Sequence, residues 1–131
     1  MPLVRIALRR GKAPQDRLAI AEAIHRCMVS ELQVPAHDRF QIITEHDPAS
    51  LIYDQEYLGI ERSDDVVIIQ ITLNRGRTLD AKRRFYRAVA NALAARPGIR
   101  PQDVFVNLVE VAKEDWSFGN GIAQYAPEET A

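Results

Sequence analysis

The chain has 131 residues, of which 47% are hydrophobic and 27% charged, a make-up that suits one folded domain spanning 1–131 and excludes a disordered chain. With 17 basic against 18 acidic residues the formal charge is −1, which gives no sign of a nucleic-acid or polybasic membrane surface. A single cysteine, Cys27, excludes an internal disulfide framework and fits a reducing compartment. The longest apolar run, residues 66–69, is too short to cross a bilayer, and the amino terminus lacks the basic and apolar regions of a signal peptide. A cytoplasmic protein is expected.

Residues 3–8 predict a first strand, with Val4, Ile6 and Leu8 on one side and Leu3 and Ala7 making the other side apolar as well. Its start carries chemistry. Initiator methionine is readily trimmed before a small residue, which would leave Pro2 with a free secondary amine able to act as base or acid. Pro2 is equally compatible with a plain strand start, since proline lacks a ladder donor.

After Arg9-Arg10-Gly11-Lys12, a helix is predicted from Pro14 to Leu32. Pro14 fits its first turn, and Leu18, Ala21, Ile24, Cys27, Met28 and Leu32 recur at helical spacing. Pro35 is expected to end it. A short strand over 40–44 follows, with Phe40 and Ile42 facing the core. Residues 45–65 read as a loop holding one or two short strands or a hairpin, because a structureless loop of that length is unusual.

Residues 66–73 give the strongest strand signal, β-branched and apolar on both sides. A helix from about Leu79 to Ala95 then buries Ala81, Phe85, Ala88, Val89, Ala92 and Leu93, and stops at Pro97-Gly98. Residues 104–111 form the last strand, and the tail beyond Trp116 has too little periodicity for another helix.

The two halves are one pattern written twice, approximately over 2–44 and 66–111. Leu8-Arg9-Arg10-Gly11-Lys12 returns as Leu73-Asn74-Arg75-Gly76-Arg77 at an offset of 65, and Asp38-Arg39-Phe40 returns as Asp103-Val104-Phe105. Each unit reads strand, helix, strand. The economical solution is an α+β two-layer sandwich, with two fused β-α-β units forming a four-stranded mixed sheet and both helices on one face. The open face, expected to expose Leu3, Ala7, Val67, Ile69 and Ile71, calls for association.

Arg75 and Arg77 flank one glycine, and two guanidiniums so placed can converge on a carboxylate, although arginines in surface turns are common. If the units are related by approximate two-fold symmetry, Pro2 and Arg75 fall at the same end of the sheet. Asp38 then either orients a water and holds a proton on the proline, or merely caps a turn. His25, His37 and His46 make no spaced metal set, and the scattered glycines make no phosphate cradle, so neither metal nor cofactor is expected.

These residues carry a resemblance. Pro2-Leu3, the doubled unit, Val34-Pro35-Ala36-His37-Asp38-Arg39-Phe40, Arg75-Gly76-Arg77 and Asp115-Trp116-Ser117-Phe118-Gly119 resemble the tautomerase superfamily, and within it the malonate semialdehyde decarboxylase branch. The resemblance implies a tautomerase-like fold and a homotrimer. It also implies catalysis by Pro2, Asp38, Arg75 and Arg77, and a small carboxylate substrate bound by Arg75 and Arg77 and lined by Trp116 and Phe118. Two positions depart from it: Gly76 stands where the branch has proline, and the linker before Arg75 is one residue longer. The implied reaction is decarboxylation of malonate semialdehyde to acetaldehyde, with a protonated Pro2 stabilising the developing enolate or, on a rival route, forming an iminium ion. Alternatives are keto-enol tautomerisation of a 2-oxo acid such as phenylpyruvate, hydration of an unsaturated acid, and, in another class, a non-catalytic interaction protein that keeps the fold.

Overall fold

The computed structural model describes residues 1–128. Its strands are β1 (Pro2–Arg9), β2 (Gln41–His46), β3 (Val67–Asn74) and β4 (Val104–Val111), with helices α1 (Pro14–Leu32) and α2 (Leu79–Ala95) between them. The sheet order is β2-β1-β3-β4. Each strand-helix-strand unit pairs its own strands in parallel, and the units join through antiparallel β1 and β3, where Pro2 faces Leu73 and Leu8 faces Val67. The start of β1 therefore lies beside the end of β3.

Alternation along the central strands decides what each face does. Val4, Ile6 and Leu8 of β1 and Val67, Ile69, Ile71 and Leu73 of β3 are buried beneath the helices. Ile20, Ile24 and Met28 of α1, and Phe85, Val89 and Leu93 of α2, complete that core. The two helices pack against each other over the sheet. Leu18, expected on the buried face of α1, is instead 56% exposed.

Two expectations about sheet faces are corrected. Val67, Ile69 and Ile71 point into the core, and the open face of β3 carries Ile68, Gln70 and Thr72. In β2 the register sets Ile43 inward against the core and leaves Ile42 and Phe40 exposed. Both errors are single-residue phase errors, which move every side chain of a strand to the other face. An apolar strand with no polar side offers no mark of its phase.

The helix ends also have local causes. Gln33 adopts a left-handed conformation (φ 59°) and its N–H bonds the Met28 carbonyl, so α1 stops before Pro35 is reached. The Thr78 hydroxyl caps α2 by accepting from the Ala81 N–H at 3.1 Å. Residues 47–66 hold two single 3-10 turns, at Pro48–Ser50 and Tyr57–Gly59, in place of the expected strands or hairpin. Among the described residues no helix is long and apolar enough to cross a membrane.

Candidate active site

Four segments meet at the end of the sheet where β1 begins: the chain terminus, the turn after α1, the turn after β3 and the tail after β4. His25 on α1 bonds the Ala36 carbonyl at 2.9 Å, and the Asp38 N–H bonds the Pro35 carbonyl at 3.0 Å. These contacts fix the turn that carries Asp38. Its carboxylate Oδ2 lies 3.4 Å from the amino-terminal nitrogen of Met1, and the side chain is only 8% exposed. Oδ1 is buried with no hydrogen-bond partner. A buried carboxylate oxygen without a donor is costly, which sets Asp38 apart from a merely structural turn aspartate.

Pro2 itself is buried, one residue inward from that ion pair. Trimming Met1 would transfer the terminal charge to the Pro2 nitrogen at the same end of the sheet.

The turn after β3 supplies the cations. Gly76 has φ 128°, a conformation that glycine adopts without strain, and it splays its two neighbours. Arg77 is half-buried: its Nε and Nη2 donate to the Leu32 carbonyl at 3.2 and 3.0 Å, and its Nη1 donates to the Asn74 carbonyl at 2.9 Å. It thereby satisfies a carbonyl left open at the end of α1. Arg75 is exposed and among the described residues makes no ion pair, while its backbone N–H is held by the Val111 carbonyl at 2.9 Å. A shallow cavity of about 410 Å³ is lined by Glu31, Leu32, Gln33, Arg75, Gly76 and Arg77 among others. The two arginines are thus brought together but differ in what their guanidiniums already bind.

Aromatic side chains close the remaining side. The half-buried Trp116 donates its indole N–H to Asn74 Oδ1 at 2.7 Å. Phe118 stacks on Trp116 with ring centroids 5.4 Å apart, and Tyr125 meets Phe118 edge-on at 5.0 Å. Burial, and then the negative charge of Asp38, push the Tyr125 hydroxyl above its ordinary pKa, which brings this ring into the electrostatic reach of the site. The resemblance implied lining roles for Trp116 and Phe118 but gave none to Tyr125, which no periodicity marks. It also missed Asn74, whose only signal is its position directly before the Arg-Gly-Arg turn.

The arrangement defines a class: a tautomerase-like sheet with a proline at the start of its first strand, a carboxylate, paired arginines and an aromatic wall at one end. A family profile described as "Tautomerase enzyme" matches residues 38–119, and a second of the same description matches residues 2–61. The chain belongs to the tautomerase superfamily. It is 40% identical to the "Probable tautomerase YusQ" of Bacillus subtilis (strain 168), covering 95% of this chain and 98% of that one. The crystal structure of FG41 malonate semialdehyde decarboxylase inhibited by 3-bromopropiolate superposes with a TM-score of 0.87 at 45% identity, over 94% of this chain and 93% of that one. A second malonate semialdehyde decarboxylase, described for its decarboxylase and hydratase activities, gives the same TM-score at 36% identity, over 94% and 95% of the two chains. The protein is accordingly an enzyme of the tautomerase superfamily, similar both to a probable tautomerase and to malonate semialdehyde decarboxylases.

Proposed function

We propose that the protein, once Met1 is removed, uses the Pro2 amine to move a proton on a short oxo-carboxylate, and that keto-enol tautomerisation of a 2-oxo acid is its leading reaction. The observation that carries this reading is the meeting of the amino terminus and the Asp38 carboxylate at 3.4 Å, at the sheet end that also holds Arg75 and Arg77. A neutral Pro2 nitrogen removes a proton from the carbon beside the carbonyl, and the resulting ammonium returns it to the enolate. Arg75 binds the substrate carboxylate, for which its free planar donor set is suited; Arg77 holds the turn and offers its remaining donor capacity. Trp116 and Phe118 bound the apolar side of the substrate. The relative named as a probable tautomerase supports this reaction.

A second reading, decarboxylation of malonate semialdehyde, is favoured by a specific observation. The Asp38 carboxylate lies 3.4 Å from the terminal nitrogen of Met1, so a negative charge stands at the end where Pro2 would carry its ammonium. A cationic Pro2 beside the substrate carbonyl would stabilise the enolate left as carbon dioxide departs, and would then protonate it. The decarboxylases at 45% and 36% identity support the same reading, and so does the carboxylate inhibitor of the first.

One experiment separates the two. Enzyme shown by intact mass to lack Met1 is mixed with the enol of phenylpyruvate and, separately, with malonate semialdehyde, and products are followed by NMR. Rapid ketonisation without acetaldehyde supports the tautomerase. Acetaldehyde with slow ketonisation transfers the assignment to the decarboxylase. Neither product, or equal rates with Met1 retained, overturns catalysis by Pro2.

A homotrimer belongs to the same proposal. The open sheet face carries Ile42, Ile68 and Phe105 around a cavity of about 390 Å³, and Phe105 is 44% exposed. Sedimentation at low micromolar concentration should show one species near three chain masses, and a stable monomer would overturn it. The lone buried thiol of Cys27 suits the cytoplasm as the proposed location.

A further inference from the structure

Asn74 is the last residue of β3, where its backbone is paired with Val111 of β4. Two elements of the site hang on it. Its side-chain Oδ1 accepts from the Trp116 indole at 2.7 Å, and its main-chain carbonyl accepts from Arg77 Nη1 at 2.9 Å. Trp116 in turn supports Phe118, and Phe118 supports Tyr125. This aromatic wall lies in a tail that, over the described residues 116–128, forms neither helix nor strand. Within the tail Gln124 accepts from the Phe118 N–H and donates to the Gly119 carbonyl. At the matching position of the first half stands Arg9, which pairs with Asp64 at 3.2 Å and holds no aromatic.

We propose that Asn74 is a positioning residue that sets the separation between the aromatic wall and the arginine turn, and so the size of oxo-carboxylate the site accepts. This rests on the reading that the site takes a short oxo-carboxylate. Asn74 touches neither the reacting atoms nor the carboxylate; it acts through Trp116 and Arg77. A half-buried indole N–H needs an acceptor, and losing it lets the ring leave the sheet edge.

Trp116 is the only tryptophan of the chain, so intrinsic fluorescence reports this anchor directly. Asn74→Leu keeps the branched heavy-atom skeleton, though it is bulkier, and removes the acceptor. Its emission should move to longer wavelength, with stronger quenching by acrylamide. KM for phenylpyruvate should rise about 10-fold while kcat changes less than about 3-fold, the split expected when binding geometry and not chemistry is lost. Asn74→Asp retains an acceptor and should restore the parent emission and quenching. Trp116→Phe removes the donor without touching β3 and should raise KM equally, and the double variant should be no worse than either single one. Parent-like quenching and KM in Asn74→Leu would overturn the proposal, as would KM effects that simply add to those of Trp116→Phe. Should Asn74→Leu not fold, Asn74→Ala, which also removes the acceptor, takes its place in the cycle, judged by the same outcomes. A parent enzyme inactive on every oxo acid would sink the proposed reaction; comparing emission and quenching of the parent, Asn74→Leu and Asn74→Asp, all of which keep Trp116, would still decide whether Asn74 anchors the wall.

Discussion

The two halves of the molecule place an aspartate at the same point of the same unit, and the two aspartates have opposite fates. Asp38 precedes β2, meets the chain terminus at 3.4 Å and keeps one buried oxygen without a donor. Asp103 precedes β4 and is fully buried, and it accepts from the Ser63 N–H and the Ser63 hydroxyl, both at 2.6 Å, and from Arg100 Nε at 3.2 Å. Burial alone would push the Asp103 carboxyl up in pKa. The Ser63 bonds, with those from Arg100, outweigh it, and the net shift is downward. The Ser63 donors come from residues 47–66, the segment that leads into β3, and among the described residues no donor reaches Oδ1 of Asp38. Where residues 47–66 reach, the carboxylate is saturated and holds structure; at the other end one carboxylate oxygen is left without a donor.

The largest effect should come from making the first end resemble the second. A residue that is not trimmed ahead of Pro2 turns its nitrogen into an amide, which is neither base nor acid at neutral pH. Turnover of the 2-oxo acid should fall about 10³-fold, within the range that a lost acid-base group commonly costs. The melting temperature should be nearly unchanged. Steady-state kinetics on preparations of known intact mass would check it, and retained turnover would show that the open end is not the catalytic one.

The reverse change, opening the second end, should cost stability instead. Asp103→Ala removes charge-assisted hydrogen bonds from a buried site and should lower unfolding stability by about 3 kcal/mol, measured with urea, while kcat/KM of the folded enzyme is preserved. The sign with pH follows from the lowered pKa. Stabilisation by the Asp103 carboxylate is complete above the ordinary aspartate value near ~3.9 and is lost as the pH falls from there through the lower folded value. Asp103→Asn should therefore show a flatter loss of stability on the acid side than the parent.

A smaller effect is expected at the arginine turn. Arg75→Ala should raise KM for the oxo-carboxylate by about 10-fold, equivalent to about 1.4 kcal/mol, without loss of stability. Arg77→Ala should raise KM and also lower the melting temperature, because it releases the Leu32 and Asn74 carbonyls. Equal behaviour of the two variants in thermal melts would remove the distinction between a free and an occupied guanidinium.

What was legible in the sequence follows from which signals are local. Both helices, the central strands and the mixed four-stranded sheet follow from periodicity and from the repeat of Arg10-Gly11 as Arg75-Gly76. The phase of β2 and β3 did not, because an unbroken apolar run fixes that a strand is buried but not which side faces the helices. At the site, Pro2, Asp38 and the arginines announce themselves by chemistry, and the fold brings them to one end. Asn74 and Tyr125 are ordinary polar and aromatic residues whose roles come only from contacts across 42 residues of sequence, for Asn74 with Trp116, or through a tail without periodicity. The unequal positions of Arg75 and Arg77 are likewise a matter of which carbonyls lie within reach.

The smallest effect should be at Arg10, the first half's counterpart of Arg75. The two turns share their backbone: Gly11 has φ 124° and Gly76 φ 128°. Their surroundings differ in charge. Arg10 meets Asp47 at 2.9 Å and Glu45 at 3.7 Å, and the neighbouring Lys12 meets Asp65 at 2.9 Å, so carboxylates of the chain already fill the place a substrate would take. The Arg10 side chain is 60% exposed, and pairs so placed contribute little because water screens them. Arg10→Ala should change stability by no more than about 0.5 kcal/mol and leave KM for the oxo-carboxylate at its parent value. A KM raised as far as in Arg75→Ala would mean that both turns bind the anion, and that the acidic residues of the first half do not distinguish them.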